Sequence, residues 1–223
     1  MSVDNTHNLR ASAVTVEFTK NAPVLKNVSI DINPGQMIGL VGLSGSGKTT
    51  LARLLAGKMR PTSGKVLIDS AEVSTQRGHR NPDIATINQS PRDACSPRWK
   101  LRDIIAEPLR IAGKLDEKSI AERVDECADE ALVDATLLDR LPHQVSDGQL
   151  QRACIARALA QAPRFLICDE PTSMLDPLAT AAVVSLLRRQ ADNGVGVLLI
   201  SHDHRLLAAC VDTVLEMDQL KQM

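Results

Sequence analysis

Aromatic residues are nearly absent from this 223-residue chain, which has two Phe, one Trp and no Tyr. Any task that needs a π face, such as stacking on a base, must fall to Phe18, Trp99 or Phe165. No two cysteines stand at C-x-x-C spacing. The five that exist (Cys95, Cys127, Cys154, Cys168 and Cys210) are dispersed, which argues against a zinc or iron–sulfur centre and reads as reduced thiols in a cytosolic protein. An excess of charge is missing too: 26 Lys and Arg face 27 Asp and Glu. Without clustered cations there is no broad footprint for a phosphate backbone, so nucleic acid is not an expected partner. No run approaches the roughly 20 apolar residues of a bilayer-spanning helix, and the polar residues 1–10 lack the apolar core of a signal peptide. If the protein works at a membrane, other subunits must hold it there.

What the chain has is alternation of strand and helix signals. Val14–Phe18 and Val24–Ile32 alternate apolar and polar residues, with Asn21-Ala22-Pro23 as the break. Met37–Val41 is a short unbroken apolar run, the pattern of a buried parallel strand. Gly64–Asp69, Ile84–Asn88, Phe165–Cys168, Val195–Ile200 and Val211–Met217 add further strands. Helical periodicity covers Lys48–Gly57, Leu101–Ile111, Ser119–Leu132, Ser146–Gln161, Pro177–Asp192 and Arg205–Cys210. The expected fold class is α/β, with a mostly parallel sheet core, antiparallel strands at the N-terminus and a helical insert. The expected boundaries are about 11–89 and 164–217 for the core and about 90–163 for the insert, all in one domain.

Residues Gly42 to Thr49 fit G-x-x-x-x-G-K-[ST] between an apolar strand and a helix. Glycines let successive N–H groups turn inward onto phosphate oxygens, and the helix start adds its positive end. The expected phosphate contacts are Gly42, Ser44, Gly45, Ser46, Gly47, Lys48, Thr49 and Thr50. Lys48 would neutralise the terminal phosphates and Thr49 would ligate Mg²⁺. A Gly/Ser hairpin that happens to precede a helix is the bland alternative, and the flanking strand argues against it. Further on, an apolar strand ends in Asp169 and Glu170. Asp169 suits a Mg²⁺ held near the phosphates, and Glu170 suits a base that polarises a water; two carboxylates capping a turn is the alternative.

Between these motifs lies Val145-Ser146-Asp147-Gly148-Gln149, and here the sequence resembles the ABC ATPase family, whose signature reads L-S-G-G-Q before a helix. The order of the other motifs agrees: Gln89 as the Q-loop glutamine, Ser173-Met174-Leu175-Asp176 as the D-loop, and Ser201-His202-Asp203 as the switch segment. The resemblance runs from about Val14 to Met217. It implies ATP and Mg²⁺ as cofactors and ATP hydrolysis as the activity. Glu170 would be the base, His202 would orient the water on the γ-phosphate, and Gln89 would sense Mg²⁺ and the water. Ser146, Gly148 and Gln149 would meet the ATP of an opposing subunit. A helix-capping histidine is the plain reading of His202. Phe18 is the candidate for stacking on adenine, and a core Phe is the equal alternative.

Asp147 stands where the family usually has its first glycine, and it is expected to point away from nucleotide. Ser146 and Gln149 also form an S-x-x-Q capping box. A second resemblance, carried by Gln89-Ser90-Pro91, Ser96-Pro97-Arg98-Trp99 and Asp103 to Leu109, is to the peptide/nickel importer ATPases. It implies a second ATPase subunit (a heterodimer is favoured), two membrane permease subunits contacting Ser90–Trp99, and a substrate-binding protein acting indirectly. The plain reading of that Pro/Arg-rich stretch is a solvated loop. The chain would then sit in the cytoplasm on the inner face of the membrane, and the C-terminal extension of many such members is not expected. A soluble assembly-type ABC ATPase, or a regulatory subunit that binds ATP and hydrolyses it weakly, are the alternatives.

Overall fold

In chain order the computed structural model forms β1 (Leu9–Thr19), β2 (Ala22–Ile32), β3 (Met37–Val41), α1 (Lys48–Leu55), β4 (Ser63–Ile68), β5 (Ala71–Glu72) and β6 (Ile84–Ile87). There follow α2 (Leu101–Ala112), α3 (Glu117–Glu130), α4 (Asp147–Ala160), β7 (Phe165–Asp169), α5 (Pro177–Asp192), β8 (Gly196–Ile200), α6 (His204–Cys210), β9 (Thr213–Glu216) and α7 (Met217–Leu220). The structure describes residues 7–19, 22–76 and 81–221. The expected ragged start as far as residue 6, and Asn21 of the expected break, lie outside the described residues.

One unit comprises Met1–Thr86, Arg164–Glu170 and Leu187–Met223. It holds two sheets. The first has the order β2-β1-β4-β5 with antiparallel pairing, as the alternating N-terminal segments predict. The second has the order β6-β7-β8-β3-β9, and β7 with β8, β8 with β3 and β3 with β9 are parallel. Every residue of β3 and β8 is buried, which is why both read as unbroken apolar runs. Leu25, Leu40, Leu51, Phe165, Leu198 and Met217 belong to the core shared by the two sheets and α1. Arg164, just before β7, forks onto Asp69, just after β4, with Nη1–Oδ2 at 2.6 Å and Nη2–Oδ1 at 2.8 Å. That hydrogen-bonded guanidinium holds the Asp69 carboxyl below the usual range.

The other unit comprises Ile87–Pro163 and Pro171–Leu186. Its core is α2, α3 and α4 packed on one another, with Leu101, Ile105, Val124, Cys127, Leu150 and Ile155 buried. Asp116 starts α3 two residues before the expected Ser119, because its side chain accepts the Ser119 N–H at 2.8 Å. The fold corrects the reading of the C-terminus: the expected strand Val211–Met217 is shorter, and the buried Met217 opens α7 instead. Several short pieces have no sequence expectation, among them β5, a 3₁₀ turn at Arg92–Ala94 inside the stretch read as a loop, and 3₁₀ turns at Ala135–Leu137 and Pro142–Gln144.

Candidate active site

Three strand ends of the parallel sheet converge in the first unit. After β3 the chain turns through Gly42–Gly47 into α1, whose N-cap is Gly47 with φ 104°. A Cβ there would lie 2.7 Å from Leu25 Cδ2 and 3.2 Å from the Val24 carbonyl, so glycine is required by both backbone and space. Lys48 Nζ donates to the carbonyls of Gly42 (2.7 Å) and Leu43 (2.9 Å), which leaves its third proton for an anion. Ser46 Oγ is buried with no hydrogen-bond partner among the described residues, as suits a hydroxyl meant for a phosphate oxygen.

After β7 come Asp169 and Glu170. The Thr49 hydroxyl lies close enough to the Asp169 carboxylate to draw it down. Two hard oxygens therefore stand together in the manner a small divalent cation requires, so these residues fit Mg²⁺. Burial, with Glu170 beside it, pushes the Asp169 carboxyl up, against the pull of Thr49, Lys48 and Arg53. Glu170 adopts φ +48°, sparsely populated for a residue with a Cβ, and its N–H donates to the Ile200 carbonyl at 3.0 Å. After β8 comes His202, whose Nδ1 lies 3.5 Å from Glu170 Oε2; the imidazole is 74% exposed and the carboxylate 20%. The helix-cap reading of His202 is corrected: Asp203 caps α6, accepting from the N–H groups of Arg205 and Leu206. The core reading of Phe18 is corrected as well, since its side chain is 67% exposed.

The second unit holds Gln89, Ser146, Gly148 and Gln149. Gln89 is exposed, two residues beyond β6. The expected capping box is present at α4: the Gln149 N–H donates to Ser146 Oγ (3.2 Å) and the Ser146 N–H to Gln149 Oε1 (2.9 Å). Accepting that bond leaves the Ser146 hydroxyl free to donate elsewhere. At Gly148 a Cβ would lie 2.9 Å from the Met174 carbonyl, so the signature turn rests directly on the D-loop. Trp99 is 44% exposed. Thr50, Ser44 and Gly45 lie on the phosphate loop and the first turn of α1.

Sequence reasoning missed two residues here. Gln151 Nε2 ties the carbonyls of Asn88 (3.1 Å) and Pro171 (3.0 Å). Arg92 binds Asp147, with Nε–Oδ1 at 2.6 Å. Neither pairing leaves a local sequence signal, because the partners are far apart in the chain.

The same region contains one activated thiol. The Cys95 thiol is drawn down to about 7, first by a hydrogen bond from Cys154 and then by the cations of Arg157 and Arg92, against the opposing effect of burial. Burial lifts Cys127 to about 11 and also raises Cys168, while the Cys95 partnership and burial raise Cys154. Iodoacetamide should therefore label Cys95 first, with half-maximal rate near pH 7. Peptide mapping after brief labelling across a pH series checks this; first labelling at Cys210 would contradict it.

The sequence family described as ABC transporter matches residues 25–173. The nickel import ATP-binding protein NikE of Brucella suis is 39% identical over 225 residues, spanning 98% of this chain and 84% of that one. NikE of Escherichia coli is 38% identical over 200 residues, spanning 87% and 75%. Among solved structures, the dimeric ATP-binding cassette MJ0796 in a post-hydrolysis state bound to ADP and Pi superposes with a TM-score of 0.86 at 26% identity, with 93% of each chain covered.

Proposed function

Since the chain belongs to the ABC transporter family, we propose that it is the ATP-hydrolysing subunit of an importer, paired with a second ATPase subunit beneath two membrane permease subunits. The observation that carries this reading is the convergence of Lys48, Asp169, Glu170 and His202 at neighbouring strand ends, with Glu170 in a strained backbone 3.5 Å from His202.

In this reading Gly42 to Thr50 cradle the phosphates, and Lys48 gives its remaining proton to a terminal oxygen. Phe18 offers the adenine an exposed ring. Thr49 and Asp169 would hold Mg²⁺, with Gln89 as its proposed sensor, and the ion would supply neutralisation of the charge on the phosphates. Glu170 takes a proton from water as the water oxygen attacks the γ-phosphorus and the bond to the leaving ADP breaks. His202 donates toward the γ-phosphate and keeps the Glu170 carboxylate oriented. Ser146, Gly148 and Gln149 lie at the start of α4, whose N–H groups and positive end suit the γ-phosphate of an opposing subunit. ATP binds the closed pair better than the open one and so shifts the population toward closure. Ser90–Trp99, with the exposed Trp99, is the segment through which a permease would feel that movement.

The named relatives are nickel import ATP-binding proteins, and nickel complexes or peptides are the substrate classes proposed. No helix among the described residues is long and apolar enough to cross a membrane; in this reading the permeases hold the chain at the membrane. The test is ATP hydrolysis by the chain with and without co-expressed permease and ATPase partners. Hydrolysis that needs the partners and disappears with Lys48→Ala is the expected result. Full activity of the isolated chain would favour a homodimer or a soluble role and overturn the pairing with a second ATPase subunit.

A further inference from the structure

A carboxylate stands in the signature turn, and the fold supplies a dedicated cation for it. Arg92 sits on the 3₁₀ turn Arg92–Ala94, three residues beyond Gln89. Its Nε donates to Asp147 Oδ1 at 2.6 Å, Nη1 to the Pro142 carbonyl at 3.1 Å and Nη2 to the Val145 carbonyl at 3.3 Å. All three guanidinium nitrogens donate to residues 142–147, the loop that delivers the chain into α4. Asp147 is the first residue of that helix, and Ser146 caps it.

A negative charge in the first helical turn complements the helix dipole, so by itself Asp147 suits the helix. Toward an incoming phosphate the same charge is repulsive. The ion pair resolves that conflict. Its side chains are 48% and 46% exposed, and an exposed pair of this kind contributes little to stability. Its effect lies in charge and direction: the carboxylate is neutralised and held toward residue 92, while the Ser146 hydroxyl and the helix N–H groups remain free of it.

We infer that Arg92 is a positioning residue for ATP use: it masks Asp147 and fixes the 142–147 loop, so that the signature turn can receive a phosphate despite its acidic residue. The inference rests on the reading that this turn meets ATP. It also ties the state of the signature turn to the segment that follows Gln89, since any movement of the 3₁₀ turn carries the mask with it.

The test uses the chain assembled with its permease and ATPase partners. Arg92→Ala should lower kcat/KM for ATP about tenfold, mainly through KM, the order expected for one uncovered charge at a helix start. In an Asp147→Asn background the same substitution should change kcat/KM by less than about twofold, because no charge is left to mask. The Arg92→Ala loss should also shrink as the screening length falls from about 30 Å at 0.01 M salt to about 8 Å at 0.15 M. A loss that is equal in both backgrounds, or indifferent to salt, would overturn the masking and leave Arg92 as a clip for two carbonyls. No loss beside the native Asp147 would overturn it too. Should Arg92→Ala fail to fold, Arg92→Lys keeps the charge without the fork and should stay within about threefold of the parent; a tenfold loss there counts against masking. Hydrolysis that survives Lys48→Ala would instead sink the ATPase reading itself, whatever the Arg92 variants do.

Discussion

Glu170→Gln is expected to lower ATP turnover by about 10²–10⁴-fold while ATP still binds. The amide keeps the volume of the side chain and one carbonyl oxygen for the water, but it cannot accept the proton. The backbone that aims it is held independently of the side chain, through the Glu170 N–H to Ile200 carbonyl bond of 3.0 Å, so the substitution removes chemistry without moving the loop. The ATP-bound pair should then accumulate, since closure no longer leads to hydrolysis. Single-turnover phosphate release together with sedimentation in ATP measures both effects. An unchanged rate would remove Glu170 as the base.

Phe165→Ala carries the largest expected effect on stability, about 3–5 kcal/mol, the range for truncating a buried aromatic. Phe165 has no exposed surface and stands at the head of β7, paired in register with Gly196 of β8. The two are a ring and its slot: a Cβ on Gly196 would come 2.6 Å from Phe165 Cδ1 and 2.9 Å from the Asn33 carbonyl. Gly196→Ala should therefore cost about 1–3 kcal/mol by overpacking. Combined with Phe165→Ala it should cost less than the sum, because the ring that the new methyl strikes is gone. Urea unfolding of the four proteins gives the cycle, and strict additivity would contradict the fit.

Much of this was legible in the sequence wherever the determining chemistry is local. β3 and β8 announce themselves because both their faces are buried, and the capping box at α4 because its partners are three residues apart. Phe18 shows where local rules end. Val14 and Val16 are buried, so strict alternation would send Phe18 inward as well. The pairing of β1 with β2 instead shifts register between Glu17 and Thr19, at the end of the hairpin, and the ring emerges. Met217 falls within the expected strand because apolar alternation does not mark where a strand gives way to a helix. The Arg92–Asp147 pair lies beyond any such rule, its members standing 55 positions apart. Asp147 alone reads as a departure from the signature pattern, and only the folded chain brings its counter-charge.

The distance between Glu170 and His202 is set by strand register: Asp169 pairs with Ile200, Glu170 is the first residue after β7 and His202 the second after β8. The connections that enter β3 and β8, at residues 33–36 and 193–195, lie at the other end of those strands. Insertions or deletions there would leave the reacting groups where they are, so descendants of this gene could gain or lose surface at that end without passing through an inactive ancestor.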